Sequence, residues 1–285
     1  QRASASTHVA PPVSAAQIGC TSTVNGPSSP RLMSERSSEL SRKSEFRPAW
    51  CRVLPSTNVM PLTTAECAAW EVEVRAPAVR RLAYRNTALI ELGYRPWGYA
   101  WVFPKREVLS IGIVLPPDQA GDMKDHVWAY IDSLGLGSAE VEIARGHKIR
   151  FRRGGERIAN ERALLAGDSA GLADEFTEEG ISYAVESGRL AARNVLRSLG
   201  GGSLASYQAD VDREIMPELR AARQIGFMFY GMLRRAPRPW MFASSKFPYL
   251  WDAFFAVQRG ESTYAREAAR VPLLPGIAQR MLDRE

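Results

Sequence analysis

The residues between Ala163 and Leu196 combine small, acidic and apolar types in an order that could hold a ligand. Ala163-Leu164-Leu165-Ala166 is a short apolar run of the kind that suits a strand buried on both faces. Gly167-Asp168-Ser169-Ala170-Gly171 follows, small residues that let a ligand approach the backbone, with one carboxylate among them. After a loop, Thr177 is placed to cap a helix whose first turn carries Glu178 and Glu179 and runs on through Gly180 and Ile181. Ile181, Ala184, Val185, Gly188, Ala192 and Val195 then recur at helical spacing, with Ser182, Glu186, Arg189 and Arg193 on the other side. A strand ending in a carboxylate and a tight turn, followed by a helix N-terminus, suits a ligand with hydroxyl and phosphate groups. The plainer reading is a strand–turn–helix packing unit in which Gly167-Asp168 is only a turn.

A second stretch with chemical promise is Pro96-Trp97-Gly98-Tyr99-Ala100-Trp101-Val102-Phe103-Pro104. In a strand alternate residues share a face, so Tyr99, Trp101 and Phe103 form one aromatic wall. Such a wall offers a broad apolar surface to a long chain, and equally serves as the core of a sheet. His126 and His147 stand in no recognisable constellation and read as ordinary polar residues.

Both stretches resemble motifs of the geranylgeranyl reductase family, a branch of the flavoprotein hydroxylase-like reductases. The first is similar to G-D-[AS]-A-G-x-x-D-P-x-T-G-E-G-I-x-x-A-x-x-S-G-x-x-A-A, and the second matches P-x-x-Y-x-W-x-F-P in full. The resemblance covers residues 65–200 well and the tail more loosely. It implies an FAD-dependent enzyme reducing carbon–carbon double bonds of prenyl groups on lipids, quinones or chlorophyll-type precursors. NADPH or a ferredoxin would be its electron donor. Cofactor contacts would fall on Gly167, Asp168, Ser169, Ala170, Gly171, Gly180 and Ile181. Asp168 would bond the ribityl chain, and N–H groups near Gly180 and Ile181 would face the flavin's pyrimidine edge. Substrate contacts would fall on Pro96, Tyr99, Trp101, Phe103 and Pro104. The chain departs from the pattern with Glu175 in place of Pro and Glu178 in place of Gly. A carboxylate at 178 would repel reduced flavin, and its side chain would crowd the ring.

The same residues admit other functions. A flavin monooxygenase or halogenase-like enzyme fits the same fold, and a non-catalytic lipid- or partner-binding remnant is the alternative from another class. Gly167 to Gly171 also spells G-x-S-x-G, but a nucleophile elbow needs a helix directly after the serine and a later histidine. Here a polar loop intervenes and no histidine follows Ser169.

The elements that must position these residues follow from the rest of the chain. The fold class expected is α+β / α/β: an antiparallel substrate-domain sheet, the second half of an FAD-binding domain and a C-terminal helical region. Residues 1–62, rich in Ser, Pro, Thr and Arg, read as a disordered or non-native leader. Residues 63–155 read as the substrate-binding sheet. Strands are expected at 70–74, 88–92, 97–104, 108–115, 141–143 and 148–151, with a turn at Lys105-Arg106-Glu107 and a helix over 121–134. Residues 156–200 form the cofactor stretch, and 201–285 a helical region broken or kinked near Pro217. No Gly-rich turn of the dinucleotide-binding kind appears: Gly26 lies in a Pro/Ser loop, and Gly135-Leu136-Gly137 ends a helix. The resemblance would place such a domain before residue 65. The chain as written is therefore expected to hold only the flavin end of FAD, to purify colourless and to show no reductase activity, with flavin binding restored by an N-terminal FAD domain grafted ahead of Thr64.

Composition narrows the class. With 285 residues, 45% hydrophobic and 24% charged, the chain has the make-up of a globular protein. The net charge of +6 comes without Lys/Arg runs interleaved with aromatics, so no nucleic acid is expected as partner. Cys20, Cys51 and Cys67 are scattered thiols without metal-ligand spacing, which points to a reducing, cytoplasmic setting and to no metal. Arg234, Arg235 and Arg238 beside Trp240, Met241 and Phe242 suit a peripheral membrane contact; packing over the substrate cavity suits the same residues.

Overall fold

The computed structural model describes residues 66–85, 87–92 and 98–270. The expectations for residues 1–62, Cys20, Cys51, Pro96 and Trp97 lie outside the described residues. Within them, β1 (Glu66–Arg75), β2 (Leu89–Leu92), β3 (Tyr99–Pro104), β4 (Leu109–Leu115) and β5 (Glu140–Arg150) form one antiparallel sheet in the order β2-β3-β4-β1-β5. A short helix α1 (Ala78–Ala83) follows β1, and α2 (Met123–Ser133) follows β4.

Period-2 alternation sorts the central strands into two faces. Leu109, Ile111, Ile113 and Leu115 of β4 join Val72, Val74, Ala100 and Val102, and α2 lays Met123, Val127, Trp128, Tyr130 and Ile131 over them. The opposite face carries Trp101, Val114 and Cys67, packed with Phe151 and Ala173. Trp101 pairs with Gly112 across the β3–β4 ladder. A Cβ at 112 would stand 2.2 Å from the Trp101 ring, so the glycine makes room for the indole. The hairpin turn closes through Lys105 N–H to the Val108 carbonyl at 2.9 Å. Gly135, at φ 70, ends α2 as the sequence leads one to expect.

Two expectations are corrected between β5 and the next helix. The run Ala163–Ala166 is not a strand; it contributes a single bridge, Ala159 to Leu164. Asn160 explains this: its side-chain oxygen accepts from the N–H groups of Arg162 and Ala163, both at 2.8 Å, and folds the chain straight back. The expected strands at 141–143 and 148–151 are one continuous strand, β5.

The remaining helices are α3 (Ile181–Leu199), α4 (Ser206–Glu214), α5 (Met216–Arg235), α6 (Pro237–Ser245), α7 (Pro248–Gln258) and α8 (Tyr264–Ala269). The break near Pro217 is real but falls at Ile215, and Pro217 sits in the first turn of α5, where its missing N–H costs nothing. Leu190, Tyr207, Val211, Met216 and Leu219 pack with Ile158, Ala170 and Leu172 into a helical core. Asn194 and Asp210 pin α3 to α4 inside it, with Asn194 Nδ2 2.7 Å from Asp210 Oδ2. The residues α3 buries are Ser187, Leu190 and Asn194, so its apolar stripe turns outward: Ile181 is 80% and Val185 70% exposed. No helix among the described residues is long and apolar enough to cross a membrane.

Candidate functional site

The Gly-rich stretch forms a single 3₁₀ turn, Gly167–Ala170, closed by Gly171 in the left-handed conformation. Ser187 of α3 holds this turn by accepting from the Gly167 N–H at 3.0 Å. Between the turn, the start of α3 and β5 lies a cleft of about 680 Å³. Its wall includes Gly167, Asp168, Ser169, Gly180 and Ile181, five of the seven cofactor candidates. Ala170 is buried in the helical core, and Gly171 serves to end the turn.

At Gly180 a Cβ would stand 3.0 Å from Asp168 Oδ1, so the glycine leaves that carboxylate its place in the cleft. Asp168 reaches into the cleft with its side chain 60% exposed, and His147 of β5 faces it with Nε2 3.6 Å from Oδ2. His147, Ile149, Ala184 and Val185 line the cleft although sequence reasoning passed over them as site residues. No sequence signal marks His147: β5 pairs it with Ala69, and only the fold brings that strand to the Gly-rich turn.

The loop into α3 is built differently from the expectation. Thr177 is not a helix cap; Gly180 is the N-cap residue and α3 starts at Ile181. Asp174 organises the loop instead, accepting from the N–H groups of Phe176 and Thr177 at 2.8 and 2.6 Å and from the Thr177 hydroxyl at 2.8 Å. Burial pushes the Asp174 carboxyl up to about 6, against the pull of those hydrogen bonds. Glu179 accepts from Ser182 N–H at 2.7 Å, taking up one donor of the first helical turn.

The same loop forces Glu178 to φ 56, the left-handed region that suits glycine. This accounts for the glycine of the pattern the stretch resembles. Glu178 borders the cleft, and its Oε2 is buried without a hydrogen-bond partner. Burial, reinforced by the charge of Asp174, holds its carboxyl well above the usual carboxylate range. Burial thus works against the negative charge expected to repel reduced flavin. Glu175, the other departure, takes an ion pair with Arg153 at 2.9 Å and lies 3.5 Å from Arg223.

Tyr99, Trp101 and Phe103 do share one face of β3, with successive ring centroids 6.1 Å apart. Trp101 is largely core, 9% exposed, and its Nε1 donates to Ser110 Oγ at 3.3 Å. Tyr99 donates to the Thr177 carbonyl at 2.7 Å and so ties the aromatic strand to the loop beside the cleft. Ile149 belongs both to the cleft wall and to the cluster around Trp101 and Phe103. Pro104 pairs with Leu109 at the end of the hairpin.

An apolar cavity of about 480 Å³ opens among the C-terminal helices, lined by residues including Phe176, Phe229, Trp240, Trp251 and Phe254. Phe176 is its hub, with ring contacts to Phe229, Tyr230, Phe254 and Tyr264. Phe242 and Tyr249, 68% and 57% exposed, stay on the surface. Among the described residues no cluster of three or more His, Cys, Asp or Glu side chains could hold a metal ion.

No family model matches the chain. It is 33% identical over 164 residues to an uncharacterized protein of Methanosarcina barkeri, covering 57% of this chain and 42% of that protein. It is 26% identical to the chloroplastic geranylgeranyl diphosphate reductase of Arabidopsis thaliana, covering 57% of this chain and 37% of the relative. The chain thus spans about two fifths of the curated relatives it matches, and its kinship with proteins named geranylgeranyl reductases is distant. The crystal structure of a geranylgeranyl bacteriochlorophyll reductase-like protein from Thermoplasma acidophilum matches with a TM-score of 0.50 at 19% identity, over 59% of this chain and 44% of that one. That likeness concerns the fold alone.

Proposed function

We propose that the chain carries the flavin-facing half of an FAD-dependent oxidoreductase that reduces double bonds of prenyl groups. The observation that carries this reading is the cleft at Asp168, Gly180 and Ile181, which shares Ile149 with the aromatic face of β3. The names of its distant relatives support it.

The residues present fit a flavin. Asp168 offers an exposed acceptor for a ribityl hydroxyl, and glycines at 167 and 180 keep the wall low where a planar ring would approach. The start of α3 opens on the cleft, where the helix dipole favours negative charge on the pyrimidine edge. When bound, FAD would supply hydride chemistry. The protein's own part is to hold the alkene beside the ring and exclude water, with Tyr99, Trp101 and Phe103 as the apolar flank. The C-terminal cavity, about 480 Å³ and aromatic in lining, would take the tail of a prenyl chain. A lipid, quinone or chlorophyll-type precursor would carry that chain, and a nicotinamide or ferredoxin would deliver electrons.

The test is turnover. With an N-terminal FAD-binding domain of a relative joined ahead of Thr64, and with FAD, dithionite and geranylgeranyl diphosphate added, the 285-residue chain should yield products gaining two hydrogens per double bond by mass spectrometry. Unchanged substrate would contradict the reading. Incorporation of oxygen or halogen under aerobic conditions would favour the monooxygenase or halogenase alternative.

A further inference from the structure

A prenyl chain long enough to fill an apolar cavity lies in lipid rather than in water, since each of its carbons is driven out of the solvent. A protein that takes up such a chain is best served by an opening that faces lipid. Tyr249 lines the C-terminal cavity and is at the same time 57% exposed, and Met232, also in the cavity wall, is 37% exposed. The cavity therefore opens to the surface where the end of α5 meets the start of α7. Around this mouth apolar side chains lie on the outside. Phe242 and Phe247 are exposed, and the Phe247 and Tyr249 rings stand 6.1 Å apart. Helix α7 carries Leu250, Trp251, Phe254, Phe255 and Val257, yet none of its residues is fully buried. Exposed apolar side chains gathered at one corner mark a surface that meets an apolar partner. The charges select that partner. From Met232 to Gln258 the sequence holds Arg234, Arg235, Arg238 and Lys246 against one acid, Asp252. Arg234, Arg235 and Lys246 are exposed, and the Lys246 ammonium lies 5.3 Å from the Phe242 ring. Aromatic side chains flanked by cations fit the interface of an anionic bilayer.

We propose that the corner between α6 and α7 docks on an anionic lipid bilayer and admits a prenyl chain from it directly into the cavity, an inference that rests on the cavity's being the seat of that chain. Phe242 and Phe247 enter the boundary between headgroups and acyl chains, and Arg234, Arg235 and Lys246 stay at the level of the phosphates. The prenyl chain passes between Met232 and Tyr249 into the aromatic lining without crossing water. Phe242 and Phe247 are no part of that lining, so docking and filling of the cavity are separable by mutation.

The experiment needs neither flavin nor turnover. The 285-residue chain is mixed at low salt with vesicles of equal parts phosphatidylcholine and phosphatidylglycerol that carry geranylgeraniol. The vesicles are sedimented, the protein is released at high salt, and the prenyl alcohol that leaves with it is measured by mass spectrometry. The wild type should sediment at low salt and carry geranylgeraniol away. Phe242→Ser combined with Phe247→Ser should weaken vesicle binding by about ten-fold or more and lower the carried alcohol with it. The melting temperature should not move, because both rings are exposed, and uptake of geranylgeranyl diphosphate from solution should equal that of the wild type. Failure of the wild type to sediment overturns the docking, and a dimer that the double variant loses would then assign the corner to a second copy of the chain. A double variant that sediments and extracts like the wild type overturns the role of these two rings and the proposal with it. Uptake by the wild type from solution but not from vesicles overturns the entry route and leaves the prenyl reading standing. Uptake from neither source overturns the reading of the cavity itself.

Discussion

At the scale of single residues, Glu178 and Asp174 show how much a side chain's behaviour depends on the loop that holds it. Glu178→Gly removes a left-handed non-glycine residue and a buried lone carboxyl oxygen. The variant should be more stable by about 1 kcal/mol, since relief of strain exceeds the added freedom of the unfolded chain. Urea unfolding at pH 7 measures this, and a less stable variant would mean that the carboxyl makes a contact worth more than the strain. Asp174 gives a pH signature. Its carboxyl ionises near 3.8 when exposed and near about 6 in the folded protein. The folded state therefore holds the proton more tightly, and the group's effect on stability is unfavourable once pH rises past that window. Between about pH 4 and pH 6 the wild type should lose on the order of 3 kcal/mol relative to Asp174→Asn, which keeps the acceptor for the Phe176 and Thr177 N–H groups. Parallel stability–pH profiles of the two proteins would refute the assignment. The acidity of these positions is plain in the sequence; their burial is not, because it depends on a left-handed turn that one glutamate adopts against its preference.

At the scale of elements, the β3–β4 hairpin was the most legible part of the molecule. Alternation in Tyr99–Pro104 and Leu109–Leu115, with a short charged turn between, specified strands, pairing and faces together. Whether the aromatic face was wall or core could not be decided from period alone. Trp101, 9% exposed and pressed on Gly112, behaves as core. Trp101→Ala should cost about 3–5 kcal/mol in thermal or urea unfolding, and a loss below about 1 kcal/mol would show instead a ring free to serve a ligand. Helix α3 was legible as a helix but not in its orientation. A hydrophobic stripe reveals a face, yet packing of Leu190 with Ser187 and Asn194 decided which side turns inward. Ser187→Ala should cost about 1–2 kcal/mol by leaving the buried Gly167 N–H without an acceptor. Hydrogen exchange at Gly167 would rise with it, and an unchanged exchange rate would show that the turn does not depend on α3. The strand expected at Ala163–Ala166 failed for a local reason, the Asn160 turn, whose chemistry outranked a four-residue apolar run.

At the scale of the whole molecule, the sheet, the Gly-rich turn and the C-terminal helices meet around the short loop from Asp174 to Gly180. That loop supplies Phe176 to the apolar cavity and Glu178 to the cleft, so one segment touches both parts of the proposed substrate path. The assembly was not readable from the chain, because its parts come from β5, α5 and α8, far apart in sequence. Tyr264 is an example: its ring packs on Phe176, and its hydroxyl accepts from Gln258 at 3.0 Å. The surface of the same helices exposes Phe242, Phe247 and Tyr249, with the Lys246 ammonium 5.3 Å from the Phe242 ring. On an overall charge of +6 this surface should draw the protein to anionic vesicles at low salt and release it at high salt. Co-sedimentation at two ionic strengths checks it, and no binding at low salt would leave these residues without a membrane role. The central claim, that the cleft holds the flavin end of FAD, is tested most directly by titrating FAD into the 285-residue chain and following flavin fluorescence. Binding should saturate, and Asp168→Ala should weaken it about ten-fold, the worth of one hydrogen bond, without altering the melting temperature, because the side chain is 60% exposed. Absence of saturable binding, or an affinity unmoved by Asp168→Ala, would contradict the account.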